Sequence, residues 1–181
     1  MAMDYCIEDE ARLYAWDLVQ RCNFGKRGKF DGDMVRQYTG VLAETFVADL
    51  LGCPRPVAAG GPDGGVDFLI YEKRIDLKVM GRNGSPSPYM VNNLLAAQVD
   101  GGETCVYLFG SLNKQNCVLT LVGWLKKIEL QRAWLVREGV VRERKDGTRF
   151  AMACDSYEVP SRGLHPFTNA TTFVTEMGMF C

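Results

Sequence analysis

The stretch that decides the fold is Gly60-Gly61-Pro62-Asp63-Gly64-Gly65-Val66-Asp67, continuing as Phe68-Leu69-Ile70-Tyr71-Glu72-Lys73-Arg74-Ile75-Asp76-Leu77-Lys78. A glycine-rich approach leads into two short apolar runs joined by a charged turn, which predicts strands over 66–71 and 74–80 with Glu72-Lys73 between them. Side chains alternate across a strand. A two-residue turn at Glu72-Lys73 pairs Tyr71 with Arg74, Ile70 with Ile75, Leu69 with Asp76, Phe68 with Leu77 and Asp67 with Lys78. The apolar faces then coincide. Asp67, Asp76 and Lys78 share the other face, with the two aspartates as diagonal neighbours roughly 7 Å apart. An odd loop or a bulge would break this grouping.

Two carboxylates and a lysine on one face can hold a hard divalent cation such as Mg2+ or Mn2+. Such an ion polarises a phosphate and acidifies a bound water, and the lysine orients that water or steadies the charge that develops. Phosphodiester hydrolysis needs these functions and no histidine. A surface hairpin whose wet face carries the same three residues has the same spacing. The glycines before Asp67 favour a site, because they allow backbone to approach a ligand closely.

Outward from the hairpin, residues 33–51 predict a helix, with Asp33 as N-cap and Gly52 followed by Pro54 as the stop. Val35, Tyr38, Leu42, Phe46 and Leu50 form its stripe, widened by Ala43, Val47 and Leu51. Glu44 falls about 200° from Leu42, at the border of the apolar face, where its carboxylate can reach over a sheet edge. Gly40 near that border permits close approach. Residues 8–22 predict an earlier helix with Leu13, Trp16, Leu18 and Val19 on its apolar face. Between the two helices, Lys26, Arg27 and Lys29 sit in a glycine-broken segment that reads either as a solvated loop or as an arm touching phosphates. Arg82, in the loop 81–88, joins them as a phosphate contact.

Residues 89–99 fit either a helix or a strand. Residues 104–111 and 117–124 predict buried strands joined through Asn113-Lys114-Gln115-Asn116. Trp124 to Glu138 predicts a helix ended by Gly139, 150–159 a last strand ended by Pro160, and 161–181 carries no firm pattern. Within 124–149, eight Lys or Arg stand against four acids, a solvated face or a DNA-facing patch. Trp16, Trp124 and Trp134 read as core residues, Cys105 and Cys117 as small apolar residues on buried strands, and His165 as structural. The order of elements predicts an α/β layer fold with a central mixed β-sheet flanked by helices.

The 181 residues suit a single domain, with a core over about 33–125, the N-terminal helix before it and a helix and strands over 125–181. Hydrophobic residues make up 47% and charged residues 24%, and the net charge of -1 gives no global signature of a nucleic-acid binder. Seven cysteines without a C-x-x-C pair suggest neither a disulfide framework nor a zinc site, and fit reduced thiols in a cytoplasmic setting. One histidine excludes a multi-histidine metal site. The N-terminus lacks an apolar signal region, and no run approaches the length of a membrane span.

Glu44 in Gly-Val-Leu-Ala-Glu-Thr-Phe-Val-Ala-Asp-Leu-Leu-Gly, Asp67 in Gly-Gly-Val-Asp-Phe-Leu-Ile and Asp76-Leu77-Lys78 together resemble the PD-(D/E)XK nuclease superfamily. Its members include phage and prokaryotic endonucleases, restriction enzymes and archaeal-type Holliday junction resolvases. The order of helix with Glu, strand with Asp and strand with Asp-x-Lys is similar to the family core over about residues 35–125, with Val66-Asp67 rather than Pro62-Asp63 at the first motif. The resemblance implies a restriction-endonuclease-like core and a metal-dependent deoxyribonuclease. Asp67, Asp76 and the Leu77 carbonyl would hold Mg2+ or Mn2+, Glu44 would bind it directly or through water, and Lys78 would be the catalytic lysine. It also implies a helper glutamine at Gln98, DNA as substrate and a homodimer as an assembly that many members adopt. The alternative is a binding or interaction module on such a fold, phage-encoded or otherwise, without catalysis.

Overall fold

The computed structural model describes residues 2–22, 33–57, 65–143 and 147–179. The basic segment with Lys26, Arg27 and Lys29, and the glycine run before Gly65, lie outside the described residues. Strand β1 (Met3–Cys6) precedes helices α1 (Asp9–Cys22) and α2 (Met34–Leu51). The hairpin β2 (Phe68–Ile70) and β3 (Lys73–Arg82) follows, then β4 (Val91–Leu95), α3 (Ala96–Gly101), β5 (Val106–Asn113) and β6 (Val118–Lys126). After β6 come two 3-10 turns, β7 (Leu135–Val136), β8 (Val141–Glu143), β9 (Arg149–Ala151), β10 (Ser156–Pro160) and α4 (Ala170–Met179).

A five-stranded sheet in the order β1-β6-β5-β3-β2 is mixed: β3 and β5 run parallel, and the other pairs antiparallel. The expected central mixed sheet flanked by helices is thus present. Ile75, Leu77, Val106 and Leu108 join a core with α1, α2 and α4, while Tyr107, Phe109 and Leu125 join a second core with Leu94, Val99 and Val159. The central strands are therefore buried on both faces, as parallel pairs require. A smaller sheet, β4-β10-β7, lies against that second core. Among the described residues, no helix is long and apolar enough to cross a membrane.

Helix α2 has the boundaries its sequence signals. The Asp33 carboxylate accepts from the Arg36 N–H at 2.9 Å, and Gly52 closes the helix at φ 67°. Its buried face is centred on Leu42, Ala43 and Val47, while Val35 is exposed. Thr39 and Thr45 are also buried, and each hydroxyl donates to the carbonyl four residues back. On α1 the expected face turns. Ala11, Ala15, Leu18 and Val19 are buried, whereas Leu13 and Trp16 are exposed and Trp16 meets Tyr38 edge-on. The small alanines let α1 approach its neighbours closely, which the larger side chains could not do.

The helix expected from Trp124 to Glu138 does not form. β6 continues to Lys126, because Trp124 and Leu125 point to opposite faces and both faces are buried. A run that is apolar on both faces has no period with which to choose strand over helix. The segment without a firm pattern contains α4, whose Phe173 and Met177 enter the main core beside Phe167. Residues 89–99 resolve as a strand followed by a short helix. Trp124 is core and Trp134 half-buried, but Cys105 is exposed and precedes its strand, while Cys117 occupies the turn before β6.

The hairpin differs from its expected register by two residues. Phe68 pairs with Ile75, Leu69 with Arg74 and Ile70 with Lys73, and the turn is Tyr71-Glu72. Because the slip is even, the faces of β2 and β3 are kept. Tyr71 and Glu72 have φ of 46° and 66°, conformations that suit a tight hairpin and disfavour side chains with a Cβ. Replacing this pair by Asn-Gly should stabilise the fold by about 1–2 kcal/mol in urea denaturation, with the β2–β3 cross-strand NOEs unchanged. An unchanged or lowered stability would mean that the turn carries no such strain.

Candidate functional site

The structure brings Glu44 from α2, Asp67 from the approach to β2, and Asp76, Leu77 and Lys78 from β3 to one open cleft of about 470 Å³. Gln98 of α3 lines it as well, together with Gly65, Gly101 and Gly102. The sequence-derived group therefore meets in space, with Gln98 beside it.

Its geometry is not that of a carboxylate face. Asp67 N–H donates to the Ile75 carbonyl at 2.9 Å, one residue out of step with the Phe68–Ile75 pairing. The chain is irregular at this point, and the Asp67 carboxylate turns along the hydrogen-bonding edge of β3. Its Oδ2 accepts from the Leu77 N–H at 2.6 Å. Asp76 is 3% exposed, and its Oδ1 is 2.8 Å from Lys78 Nζ. Gly65 supports the cleft from the glycine side. It has φ 74°, and its carbonyl accepts from Thr104 Oγ1 at 2.6 Å. A Cβ there would lie 3.7 Å from Asp76 Oδ2.

These arrangements correct the metal expectation. Asp67 and Asp76 direct oxygens to a backbone amide and to a lysine, and Leu77 contributes its N–H to Asp67. Among the described residues, no group of three or more His, Cys, Asp or Glu side chains is arranged to hold a metal ion. This overturns the expectation of a Mg2+- or Mn2+-dependent deoxyribonuclease. No family model, no curated protein and no solved structure matches the chain, so nothing there supports the nuclease or phage labels either.

Of the expected phosphate contacts, Arg82 lies among the described residues. Arg82 Nη2 is 3.4 Å from the Val91 carbonyl and 3.3 Å from Met80 sulfur, and burial lowers its pKa. Its side chain is half-buried. In the basic stretch 124–149, Arg137 pairs with Asp155, Arg142 with Glu158 and Arg149 with Glu143. Those ion pairs fit the solvated-face reading. His165 is structural as expected: it stacks on Trp124 at 4.6 Å between ring centroids and meets Glu129 at 2.9 Å.

Among the described residues that line the cleft, three acids stand beside one lysine. Asp67 has its pKa raised well above the ordinary carboxylate value, first by burial and then by the Glu44 and Asp76 charges. The Leu77 hydrogen bond and Lys78 pull the other way without cancelling the rise. Sequence reasoning missed Tyr107, the neighbour of Asp76 across the β3–β5 ladder. Burial, with Asp76 adding to it, pushes this phenol up to about 12. Only the parallel pairing of β3 with β5 brings it there, and no local pattern encodes that pairing.

A carboxyl group whose folded pKa is raised favours the fold below its unfolded pKa, and that contribution is lost as pH rises through the folded value. Asp67→Asn keeps an oxygen for the Leu77 N–H and removes the charge. Its melting temperature should exceed that of wild type at pH 8, and the gain should fade as pH falls into the ordinary aspartate range. Asp67→Leu leaves the Leu77 N–H unpaired and should cost about 1–3 kcal/mol. Thermal melts across pH check both; an Asp67→Asn gain independent of pH would contradict the charge repulsion.

Proposed function

We propose that the chain is a binding module on a restriction-endonuclease-like core, engaging its partner at the Glu44–Asp67–Asp76–Lys78 cleft without catalysis. The observation that carries this reading is the convergence of those four side chains, from α2, the approach to β2, and β3, on one cleft. Among the described residues, three acids and one lysine line this partly buried place. A partner that inserts an ammonium or guanidinium group relieves the repulsion that raises Asp67, and gains charge-assisted hydrogen bonds. Lys78, 2.8 Å from Asp76 Oδ1, answers one of the three carboxylates.

DNA is the other partner that the sequence suggests. The cleft disfavours it, because acidic groups would face phosphates. A cytoplasmic setting suits the free thiols of Cys6, Cys53, Cys105, Cys117 and Cys154. A homodimer presenting two such clefts would raise the avidity for a polycationic partner.

Titration of the full chain with agmatine and spermidine, followed by 15N chemical shifts, tests the reading. Saturable shifts at Asp76, Leu77 and Gln98 are expected. Affinity should rise with pH as Asp67 ionises, and weaken about tenfold in Glu44→Gln or Asp76→Asn. The same preparation is assayed on linear, branched and single-stranded DNA, and its mass in solution is measured by sedimentation. Absence of amine binding would overturn the reading. So would DNA cleavage with a divalent metal that Asp76→Ala abolishes.

A further inference from the structure

A second cleft, of about 320 Å³, lies between the loop before β4, the outer face of β6 and the segment after β10. Pro86, Pro88, Val122, Leu164 and Pro166 line it, and so does Arg162. We infer that this cleft binds a small monocarboxylic acid with a compact apolar body, whose carboxylate is received by Arg162. The inference is independent of the acidic cleft and goes beyond the binding role assigned there.

Three observations support a preformed pocket. The two walls are tied together by polar groups. Buried Asn92 donates to the Val159 carbonyl at 3.2 Å and meets Ser161 Oγ at 3.3 Å. Ser161 in turn donates to the Met90 carbonyl through both its N–H, at 3.2 Å, and its hydroxyl, at 2.9 Å. The third wall is fastened to β6. Trp124 and His165 exchange backbone hydrogen bonds at 2.9 and 2.8 Å, and His165 Nε2 meets Glu129. That attachment needs Gly123, because a Cβ there would fall 2.5 Å from the His165 carbonyl oxygen and 2.8 Å from Leu164 Cβ. Three prolines stiffen the rim further, since each fixes its own φ.

The remaining observation gives the ligand its charge. Arg162 is exposed, and neither an ion pair nor a hydrogen bond engages its guanidinium among the described residues. By contrast, Arg137, Arg142 and Arg149 in the neighbouring chain segments all have acidic partners. An exposed guanidinium fork that lines a largely apolar cleft matches a planar carboxylate in bidentate geometry. The volume is at the lower end of the roughly 300–1,000 Å³ range of small-molecule sites, which suits a benzoate-sized or short-chain acid.

The test uses the full chain labelled with 15N, titrated with benzoate and hexanoate and, in parallel, with the neutral benzamide and hexanamide. Saturable shifts at Val122, Leu164 and Arg162 are expected for the acids, with the amides weaker by about tenfold. Arg162→Gln should weaken the acids about tenfold and bring acids and amides to parity, while Arg162→Lys should recover part of the loss. Val122→Phe, which fills the pocket, should abolish binding of both, and an unchanged Trp124 indole signal would verify that each variant is folded. The inference is overturned if the acids give no saturable shifts at millimolar concentration. It is also overturned if acids and amides bind wild type equally, or if Arg162→Gln binds benzoate as wild type does.

Discussion

The hydrogen bond from the Leu77 N–H to the Asp67 carboxylate is the constraint on which the acidic cleft depends. β2 pairs with β3 only from Lys73 to Ile75, and among the described residues no strand pairs with the outer edge of β3 beyond Ile75. A buried amide without an acceptor costs free energy comparable to a lost hydrogen bond. Asp67 supplies that acceptor at 2.6 Å from a side chain rather than from a further turn of ladder. The carboxylate is thereby held beside Asp76, which repels it, and the repulsion persists because the amide does not let the side chain swing away.

That arrangement explains why one group of acids can serve two different chemistries in principle and one in this structure. A divalent cation needs several oxygens directed at a common point. Here one Asp67 oxygen faces an amide and one Asp76 oxygen faces Lys78 Nζ. The charge remains in the cleft although the coordination geometry does not. A protonated amine or a guanidinium makes weaker angular demands than a metal and distributes several donors over the acceptors it meets.

What was legible in the sequence followed from local physics. Asp33 and Gly52 marked the ends of α2 because capping needs a side-chain acceptor at one end and a left-handed residue at the other. The parity of the hairpin was legible because it rests on alternation, which survives an even slip. The register was not, since Tyr71 and Glu72 adopt positive φ without the glycine or asparagine that announces such a turn. The irregular step at Asp67 left no mark in the alternation, yet it decided the direction of the carboxylate. The face of α1 was misjudged because large apolar residues drew attention, while Ala11 and Ala15 did the close packing. Glu44 was found because an acid at the border of an apolar stripe is informative whatever covers the stripe.

Long-range pairing accounts for the rest. Trp124 and Leu125 belong to a strand because β5 and the two cores enclose them, and α4 is a helix that the core admits through Phe173 and Met177. Gly123 shows how such a constraint can act through the absence of a side chain. Its missing Cβ lets the Leu164–His165 backbone reach β6, and that contact joins the segment after β10 to the central sheet. The same contact stacks His165 on Trp124, which meets Phe173 on its other side in the main core. The wall of the second cleft is therefore continuous with the packing that seats α4. A ligand gripped there would bear on the core through His165 and Trp124, whereas one held in the acidic cleft would bear on the edge of β3.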